Sequence, residues 1–444
     1  MNLHFPLSNE RYIMKRIIVL LCLGFVFTID CSEINVSATE WYKGQLHCHS
    51  HWSDGNTLPE LVLDWYQTNG FHFVALTDHS ALQTDKDKWK VVDPKLIEES
   101  QSKFGHWVEV KENDGKVLVR LKPIDELREQ FNKDGAFLVV SSHEQNATVA
   151  ARTLHAIAAN ITATIPFPNE FPAVTDAVRK WQQNTLDNAE KNGNIGFWMV
   201  AHPDWPYYDI PPTVFIEIPE IEFFEYNTTS APRTKSTRPF RHPLMPDPEK
   251  FWDIINAFRI SKGHKPIFHV ATDDAHNYRD FKDNGVNPGH GWVVVRAEKL
   301  AANALFAAMK NGDFYSSTGV TLKDIHFDAD SRTLSVDIQP EEGVKYSVRF
   351  VGTKKGFDTT TTETVESDDP AREYQPARTG LIYSNGIGVT LKTEDGVSVS
   401  YKMAQDDLYV RAIITSDKKP KYLEVNKPLT ESAWTQPYGW SLKQ

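Results

Sequence analysis

Short apolar runs alternate with amphipathic stretches between Tyr42 and about Gly319, and this alternation restricts the fold more than any other feature of the chain. Helices are predicted over 57–70, 173–193, 248–263 and 298–312, each ending at a glycine, and the first has Thr57 and Glu60 at capping-box spacing. Six apolar runs are predicted as buried strands: 71–77, 136–142, 195–201, 221–226, 266–272 and 291–297. Strands that alternate with helices indicate an α/β fold with a parallel sheet or barrel.

The sequence pattern changes after Gly319, where alternating strands are separated by polar loops and no convincing helix occurs. We therefore predict a first domain over 39–319 and a small all-β sandwich over 320–444. Within the first domain, residues 108–120 interrupt the alternation and are predicted to form an inserted hairpin that turns at Asp114-Gly115.

The N-terminus has the pattern of a signal peptide. Lys15 and Arg16 precede an apolar run over 17–29, which is short for a membrane span. We expect residues 1–38 to be removed, with Met14 as an alternative start, and the mature chain to be periplasmic or extracellular without a transmembrane helix. Cys31 also permits a lipid anchor, although Asp30 before it fits that signal poorly.

The formal net charge of −11 argues against nucleic acid as a partner. A small anionic substrate stays possible if metal ions supply local positive charge. After removal of the signal peptide Cys48 is the only cysteine, so no disulfide framework is expected.

Potential metal ligands follow the predicted strands. His47 and His49 are two positions apart on a strand, so they share a face, while Cys48 points away. Further candidates stand at four other strand ends: Asp78, His79, His143, Glu144, His202, Asp204, Asp273, Asp274 and His276. In a barrel of parallel strands such ends converge on one face, so a multinuclear centre is favoured over unrelated structural residues. Zinc, manganese and iron all accept these ligands.

The motifs LHCHSHWSDG, ALTDHS, SSHEQ, AHPD and TDDAH, in this order, resemble the PHP (polymerase and histidinol phosphatase) family. The resemblance covers about 42–319 and is nearest to its exported, carbaryl-hydrolase-like (CehA/McbA) branch. It implies a distorted (β/α)7 TIM-like barrel that holds two or three divalent metal ions.

The resemblance also implies a ligand set. The first ion is assigned to His47, His49, Glu144 and Asp274. Glu144 bridges to a second ion, which is assigned to His155 and His202, with His143 as a competing candidate for the place of His155. The third ion is assigned to Asp54, His79 and His276.

The remaining candidates lie around these ligands. The catalytic group implied is a metal-bound water, and Asp78, Asp204 and Asp273 either orient the histidines or cap the strand ends. His51 is outside the ligand pattern and is expected beside the pocket with Trp205. A basic loop, either a clamp for an anion or simply solvated, contains Arg233, Lys235, Arg238 and Arg241.

These features together predict an exported metal-dependent hydrolase, with phosphoesters as the first substrate class. Carbamate, ester or amide hydrolysis is the alternative, although amidohydrolases typically bridge their metals with a modified lysine, whereas Glu144 stands at the bridging place here. An alternative of another class is a non-catalytic, metal-stabilised protein that binds glycans.

Overall fold

The computed structural model describes residues 39–149, 152–167, 171, 173–203, 210–227, 246–279, 281, 286–365, 379–421 and 430–442. The signal peptide and Cys31 lie outside these ranges. So do six of the predicted site residues: Asp204, Trp205, Arg233, Lys235, Arg238 and Arg241.

The described residues form a mixed α/β fold with many strands and few helices. The helices are α1 (Pro59–Thr68), α2 (Pro94–Phe104), α3 (Ile124–Phe131), α4 (Val174–Lys191), α5 (Pro212–Glu217), α6 (Pro248–Ser261) and α7 (Ala302–Asn311). The strands up to residue 317 are β1 (Glu40–Gln45), β2 (Phe73–Ala75), β3 (Trp89–Val91), β4 (Val110–Asn113), β5 (Lys116–Arg120), β6 (Leu138–Val140), β7 (Ser142–Val149), β8 (Arg152–Ala159), β9 (Phe197–Val200), β10 (Phe223–Asn227), β11 (Phe268–Thr272), β12 (Trp292–Ala297) and β13 (Phe314–Ser317). The later strands are β14 (Leu322–Asp328), β15 (Thr333–Ile338), β16 (Tyr346–Lys354), β17 (Thr362–Val365), β18 (Thr379–Ile382), β19 (Val389–Asp395), β20 (Ser398–Lys402), β21 (Asp407–Ser416) and β22 (Ser432–Thr435).

Two sheets position the candidate ligands. One has the order β19-β16-β21-β22-β13-β12-β1-β2-β6 and the other the order β11-β10-β9-β8-β7. Only Ser141 separates β6 from β7, so the chain passes there from one sheet to the other, and a parallel bridge between Cys48 and Ala275 joins the ends of β1 and β11. Tyr42, Phe73 and Phe223 belong to a buried cluster that takes residues from both sheets. The ends of β1, β2, β7, β9 and β11 therefore meet at one place.

Every one of the six strands predicted from apolar runs overlaps an observed strand, and the four predicted helices correspond to α1, α4, α6 and α7. The (β/α)7 barrel is not confirmed. Among the strands that the structure describes, the parallel pairs are β1–β2, β2–β6, β9–β10 and β10–β11. Strands β7, β8 and β9 pair antiparallel, and β8 follows β7 after two residues, which leaves no room for a helix between them. The capping box is wrong: α1 begins after Leu58 without a side-chain cap, and buried Glu60 accepts a hydrogen bond from Ser100 at 2.6 Å.

The nine-stranded sheet continues past Gly319, because β22 pairs with both β13 and β21. The division into domains at that residue therefore stays a prediction. Strands β4 and β5 form a hairpin whose turn residues, Asp114 and Gly115, both have positive φ, as a two-residue hairpin turn of the primed type requires. None of the helices in the described ranges is long and apolar enough to cross a membrane.

Candidate metal centre

Four candidate ligand atoms from three strand ends meet in the interior. His47 Nε2 lies 3.1 Å from His49 Nε2 and 3.1 Å from Asp274 Oδ1. His49 Nε2 lies 3.2 Å from the same Asp274 oxygen, and both imidazole nitrogens lie 3.4 Å from Glu144 Oε2. Ligands bound tetrahedrally at about 2.0–2.1 Å are separated by about 3.3 Å, so these spacings suit one divalent ion.

The polarity of these four atoms indicates that a cation would bind between them. The Nδ1 atom of His47 donates to Glu225 Oε1 at 2.6 Å, which leaves the Nε2 lone pair directed at the other three atoms. Three histidine nitrogens lie within 3.4 Å of Glu144 Oε2, yet this buried oxygen accepts no hydrogen bond. Lone pairs that face one another at such distances repel, and one divalent ion between them would be attracted by all of them.

The other oxygen of Glu144 faces a second pair of histidines. Glu144 Oε1 lies 2.7 Å from His155 Nδ1 and 3.2 Å from His202 Nε2. The antiparallel pairing of β7 with β8 sets this contact, because it aligns His155 with Asn146, two residues along the strand from Glu144. One buried carboxylate thus has an oxygen toward each of two histidine sets, which is the arrangement of a bridging ligand.

A third group lies at the solvent-facing side of the centre. Asp54 Oδ1 lies 3.3 Å from His276 Nε2, and Asp54 Oδ2 lies 3.6 Å from His79 Nε2. The carbonyl oxygen of Asp274 accepts from His276 Nδ1 at 2.8 Å, so the Nε2 lone pair of His276 is directed toward Asp54. The side chain of Asp54 is 58% exposed, whereas those of His47, His49 and Glu144 are fully buried, so among the described residues this group is the solvent-facing side of the centre.

The structure therefore brings together all nine residues that the resemblance assigns to metal ions. They form four overlapping groups in which the candidate ligand atoms lie within 4.8 Å of one another. His49 belongs to two of these groups, since its ring also stacks on that of His276 with centroids 4.1 Å apart.

The histidine pKa values show how strongly these charges interact. Burial lowers the pKa of His47, but the surrounding carboxylates, chiefly Glu225, outweigh burial and raise that pKa well above its usual value. Burial lowers the pKa of His49 to about 3, so this ring is neutral at pH 7. Burial opposes protonation of His79 as well, yet the adjacent carboxylates of Asp54 and Glu144 raise its pKa to about 10. A proton on His47 would relieve only part of the repulsion among four facing lone pairs.

Glu225 has a supporting role that the strand pattern alone did not assign. Its two oxygens accept from His47 Nδ1, from the Thr272 hydroxyl and, at 2.7 Å, from the backbone N–H of His202. It thereby fixes the tautomer of one candidate ligand and the backbone of another. Its position at the end of an apolar strand was a signal for such a role, but surface polarity at a strand end produces the same pattern.

The aspartates next to the candidate ligands hold loops. The carboxylate of Asp78 accepts from the backbone and hydroxyl groups of Ser50 and Ser53 and from Gln83. The carboxylate of Asp273 accepts from Tyr66 and from the backbone N–H groups of residues 289–291. The sequence left open whether these two aspartates orient histidines or cap strand ends, and in the structure their oxygens are directed at donors in the neighbouring loops.

Two of the histidines predicted at or beside the site lie outside the four groups. His143 alternates with Glu144 along β7, so its ring faces the other way, and its Nε2 accepts from the backbone N–H of Ile165 at 3.5 Å. His51 lies in the turn before Asp54, and its carbonyl oxygen accepts from Lys90 at 2.9 Å. His155 is therefore the histidine that faces Glu144.

Two candidate ligands of the metal centre have strained backbone conformations. His202 has a φ of 27° and Asp274 a φ of 49°, values that residues with side chains rarely adopt. Strain of this kind is retained where the surrounding structure fixes a functional side chain. Both residues are candidate ligands at strand ends.

Comparison with known proteins gives no family model that matches the chain and no curated protein that matches it. Matching solved structures include a two-domain protein from Bacteroides vulgatus containing a predicted PHP-like metal-dependent phosphoesterase, with 15% identity over 85% of this chain and 90% of that chain and a TM-score of 0.37. A candidate metal-dependent phosphoesterase from Bifidobacterium adolescentis matches at 12% identity over 52% of this chain and 87% of that chain, with a TM-score of 0.29. An amidohydrolase from Chromobacterium violaceum with bound sulfate and no metal matches at 12% identity over 55% of this chain and 93% of that chain, with a TM-score of 0.25. At these TM-scores the matches carry no argument, and the site is argued from its own geometry.

Proposed function

We propose that this chain is an exported metal-dependent hydrolase of the PHP type, related to its carbaryl-hydrolase-like branch, and that it cleaves phosphoesters of small anionic molecules. The observation that supports the proposal best is Glu144, whose two oxygens face two separate sets of histidine nitrogens in a fully buried position. In this position Glu144 would be a ligand to two ions. Export is proposed from the basic and apolar N-terminal pattern alone.

Adjacent divalent ions, when bound, lower the pKa of water and neutralise the charge of a phosphoryl group during in-line displacement. The residues of the chain supply the geometry for this chemistry. Glu225 holds His47 in one tautomer, and Asp78 holds the loop that carries Asp54 at the exposed side. Lys90 Nζ donates to the carbonyl oxygens of His51 and Ser53, which places a positive charge on the same loop.

Carbamate, ester or amide hydrolysis is the alternative that a pair of adjacent ions also permits. A carboxylate bridge favours phosphoester cleavage over an amidohydrolase-type reaction, which typically uses a modified lysine as bridge. The ligand types suit zinc, manganese and iron equally, so the metal is decided by measurement.

The test combines metal analysis with a substrate screen. The protein is purified, loaded separately with Zn, Mn and Fe, and assayed with phosphomonoesters, phosphodiesters, phosphonates, carbamates, esters and amides. We expect two or three ions per chain and phosphoester hydrolysis that a chelator abolishes and metal restores. His47→Ala should lose this activity, while exposed His264→Ala should keep it.

The other outcomes would contradict the proposal in different ways. Hydrolysis confined to carbamates, esters or amides would overturn the substrate class and retain the metal centre. Tight metal binding with no hydrolysis of any class, together with binding of neutral glycans, would identify a non-catalytic binding protein. Activity unchanged in His47→Ala would exclude the centre as the site of reaction.

A further inference from the structure

A cavity of 610 Å³ lies away from the metal centre, and its lining includes none of the nine candidate metal ligands. It lies between the start of β1, the residues after α1 and the loops at 318–323 and 418–421. Ligand sites for small molecules typically enclose about 300–1,000 Å³, so this cavity has the size of a binding site.

Aromatic rings form the apolar part of its lining. Three tryptophans contribute to it, Trp41, Trp65 and Trp292, together with Tyr315. Trp41 and Tyr315 contact each other edge to face, with ring centroids 5.2 Å apart. Such rings present flat apolar surfaces against which a ring of a ligand can stack.

The charged part of the lining is basic although the whole chain has a net charge of −11. Among the described residues that line the cavity, four are lysines, Lys43, Lys323, Lys418 and Lys421, and one is a carboxylate, Glu431. Lys418 forms ion pairs with Glu341 at 2.7 Å and with Glu431 at 3.4 Å, so that carboxylate is already matched. The cavity therefore concentrates positive charge on an acidic protein, which favours an anion.

Lys43 lies between two aromatic rings at the cavity. Its Nζ lies 4.0 Å from the centroid of the Phe71 ring and 4.0 Å from that of Trp292. In the described part of the chain no carboxylate lies within 4.0 Å of this nitrogen. Burial lowers the pKa of Lys43 to about 8, with Lys421 adding to the effect and Asp273 opposing it. A cation between two rings that lacks a carboxylate partner is stabilised when an anion binds beside it.

We propose that this cavity binds a small carboxylate or phosphorus oxyanion that carries a flat ring, with the anionic group near Lys43 and the ring against the tryptophans. The site is separate from the metal centre and does not depend on the proposed hydrolysis. The shared chemistry is a ring with an anionic substituent, and the two kinds of anion are distinguished by experiment.

The test is titration of the purified protein with benzoate and phenylphosphonate, followed by tryptophan fluorescence and calorimetry. We expect at least one of the two to bind, and the tighter one identifies the preferred anion. Benzamide, which has the ring without the charge, and acetate, which has the charge without the ring, should each bind at least tenfold more weakly. No binding of either anionic probe, or equal binding of benzamide, would overturn the proposal.

Variants locate the binding. Lys43→Met should lower the affinity at least tenfold, whereas Lys111→Met, which removes an exposed lysine 3.9 Å from the Trp89 ring outside the cavity, should leave it unchanged. Asp54→Asn at the metal centre should also leave it unchanged. Should Lys43→Met fail to fold, Lys323→Met on the exposed rim should lower the affinity several-fold. Equal affinity in the lysine variants and wild type would show that the probes bind elsewhere and refute the site.

Discussion

Glu144 and Glu225 are both fully buried carboxylates near His47, yet they differ in what they contact. Glu225 accepts hydrogen bonds at both oxygens, from a ring N–H, a hydroxyl and a backbone N–H. Glu144 Oε2 accepts none and lies among histidine nitrogens. The first contact pattern satisfies the carboxylate without an ion, and the second does not. Glu225 is therefore a positioning residue and Glu144 a candidate ligand.

We expect Glu225→Gln to weaken metal binding about 10- to 100-fold, the usual effect of removing a partner that orients a ligand. The amide removes the negative charge that holds the proton on His47 Nδ1, so the Nε2 lone pair is less well directed at the ion. The measurement is metal affinity by competition with a chelator, with the pH dependence of that affinity as a second readout, because a structural effect alone would leave the pH profile in place.

Glu222→Gln is the matched control for this variant. Glu222 precedes the same strand, is partly exposed and pairs with Lys265 and Lys310 away from the centre. Its metal affinity should equal that of wild type. Equal affinities in Glu225→Gln and Glu222→Gln would show that Glu225 does not orient His47.

Asp54 and Glu144 are expected to affect the number of bound ions differently. Asp54 lies 3.3 Å from His276 and 3.6 Å from His79 and farther, 3.8 Å, from buried His49 Nδ1, so Asp54→Asn should bind one ion fewer and retain the buried ones. Glu144 faces both buried sets of histidines, with Oε2 3.4 Å from His47 and His49 and Oε1 toward His155 and His202, and Glu144→Gln should lose both of their ions. Metal analysis after exhaustive dialysis measures this difference, and equal losses in the two variants would contradict separate sites.

The strand-end positions and the family resemblance together predicted which residues gather at the centre, but they did not decide between His143 and His155. That choice depends on the antiparallel register of β7 and β8, which aligns His155 with Asn146 and turns His143 away. Register arises from pairing between strands, so alternation within one strand cannot reveal it. The contacts of Asp78 and Asp273 depend in the same way on loops that are brought near by folding.

Strand β1 carries His47 and His49 just beyond its end, and its position depends on a close approach to β2. A Cβ atom at Gly44 would lie 2.0 Å from the Phe73 ring, so the two strands pack with no room for a side chain there. Because Phe73 belongs to the buried cluster between the two sheets, this contact fixes the strand against the core.

We expect Gly44→Ala to lower the free energy of unfolding by about 1–3 kcal/mol, since the core must shift to admit the methyl group. Chemical denaturation followed by tryptophan fluorescence measures the loss. Gly386→Ala is the control, because Gly386 has an ordinary backbone conformation and the nearest atom to its Cβ is the Ser384 hydroxyl at 3.5 Å. A variant at Gly44 as stable as the one at Gly386 would show that β1 tolerates displacement.

The helices and strands with a strong periodicity of apolar residues, such as α4 and α6, were predicted correctly as to their existence and type. The arrangement of the strands was predicted less well, because the antiparallel pairs β7–β8 and β8–β9 join segments whose apolar runs look like those of parallel strands. Periodicity reports which face of a strand is buried, and direction is set by connections and pairing. The mixture of parallel and antiparallel strand pairs therefore could not be predicted from the sequence.

The two parts of the chain predicted as separate domains are connected by a buried ion pair. Asp253 on α6 accepts from Arg411 on β21 at 2.9 and 2.7 Å and from the hydroxyl of Tyr409 at 2.8 Å. The side chains of Asp253 and Arg411 are almost completely buried. Together with the pairing of β22 to β13, this contact indicates that residues on both sides of Gly319 unfold together.

We expect Asp253→Asn to lower the free energy of unfolding by about 3–5 kcal/mol, because Arg411 keeps its buried charge and loses its counter-ion. Asp406→Asn is the control, since Asp406 pairs with Lys354 at an exposed position and surface pairs contribute only about 0–1 kcal/mol. Denaturation followed both by tryptophan fluorescence and by release of bound metal should give one shared transition in the wild type. Two results together would contradict this expectation: metal release in a separate transition, and an Asp253→Asn variant no less stable than Asp406→Asn. They would show that the part after Gly319 folds independently and that the ion pair does not couple it to the metal centre.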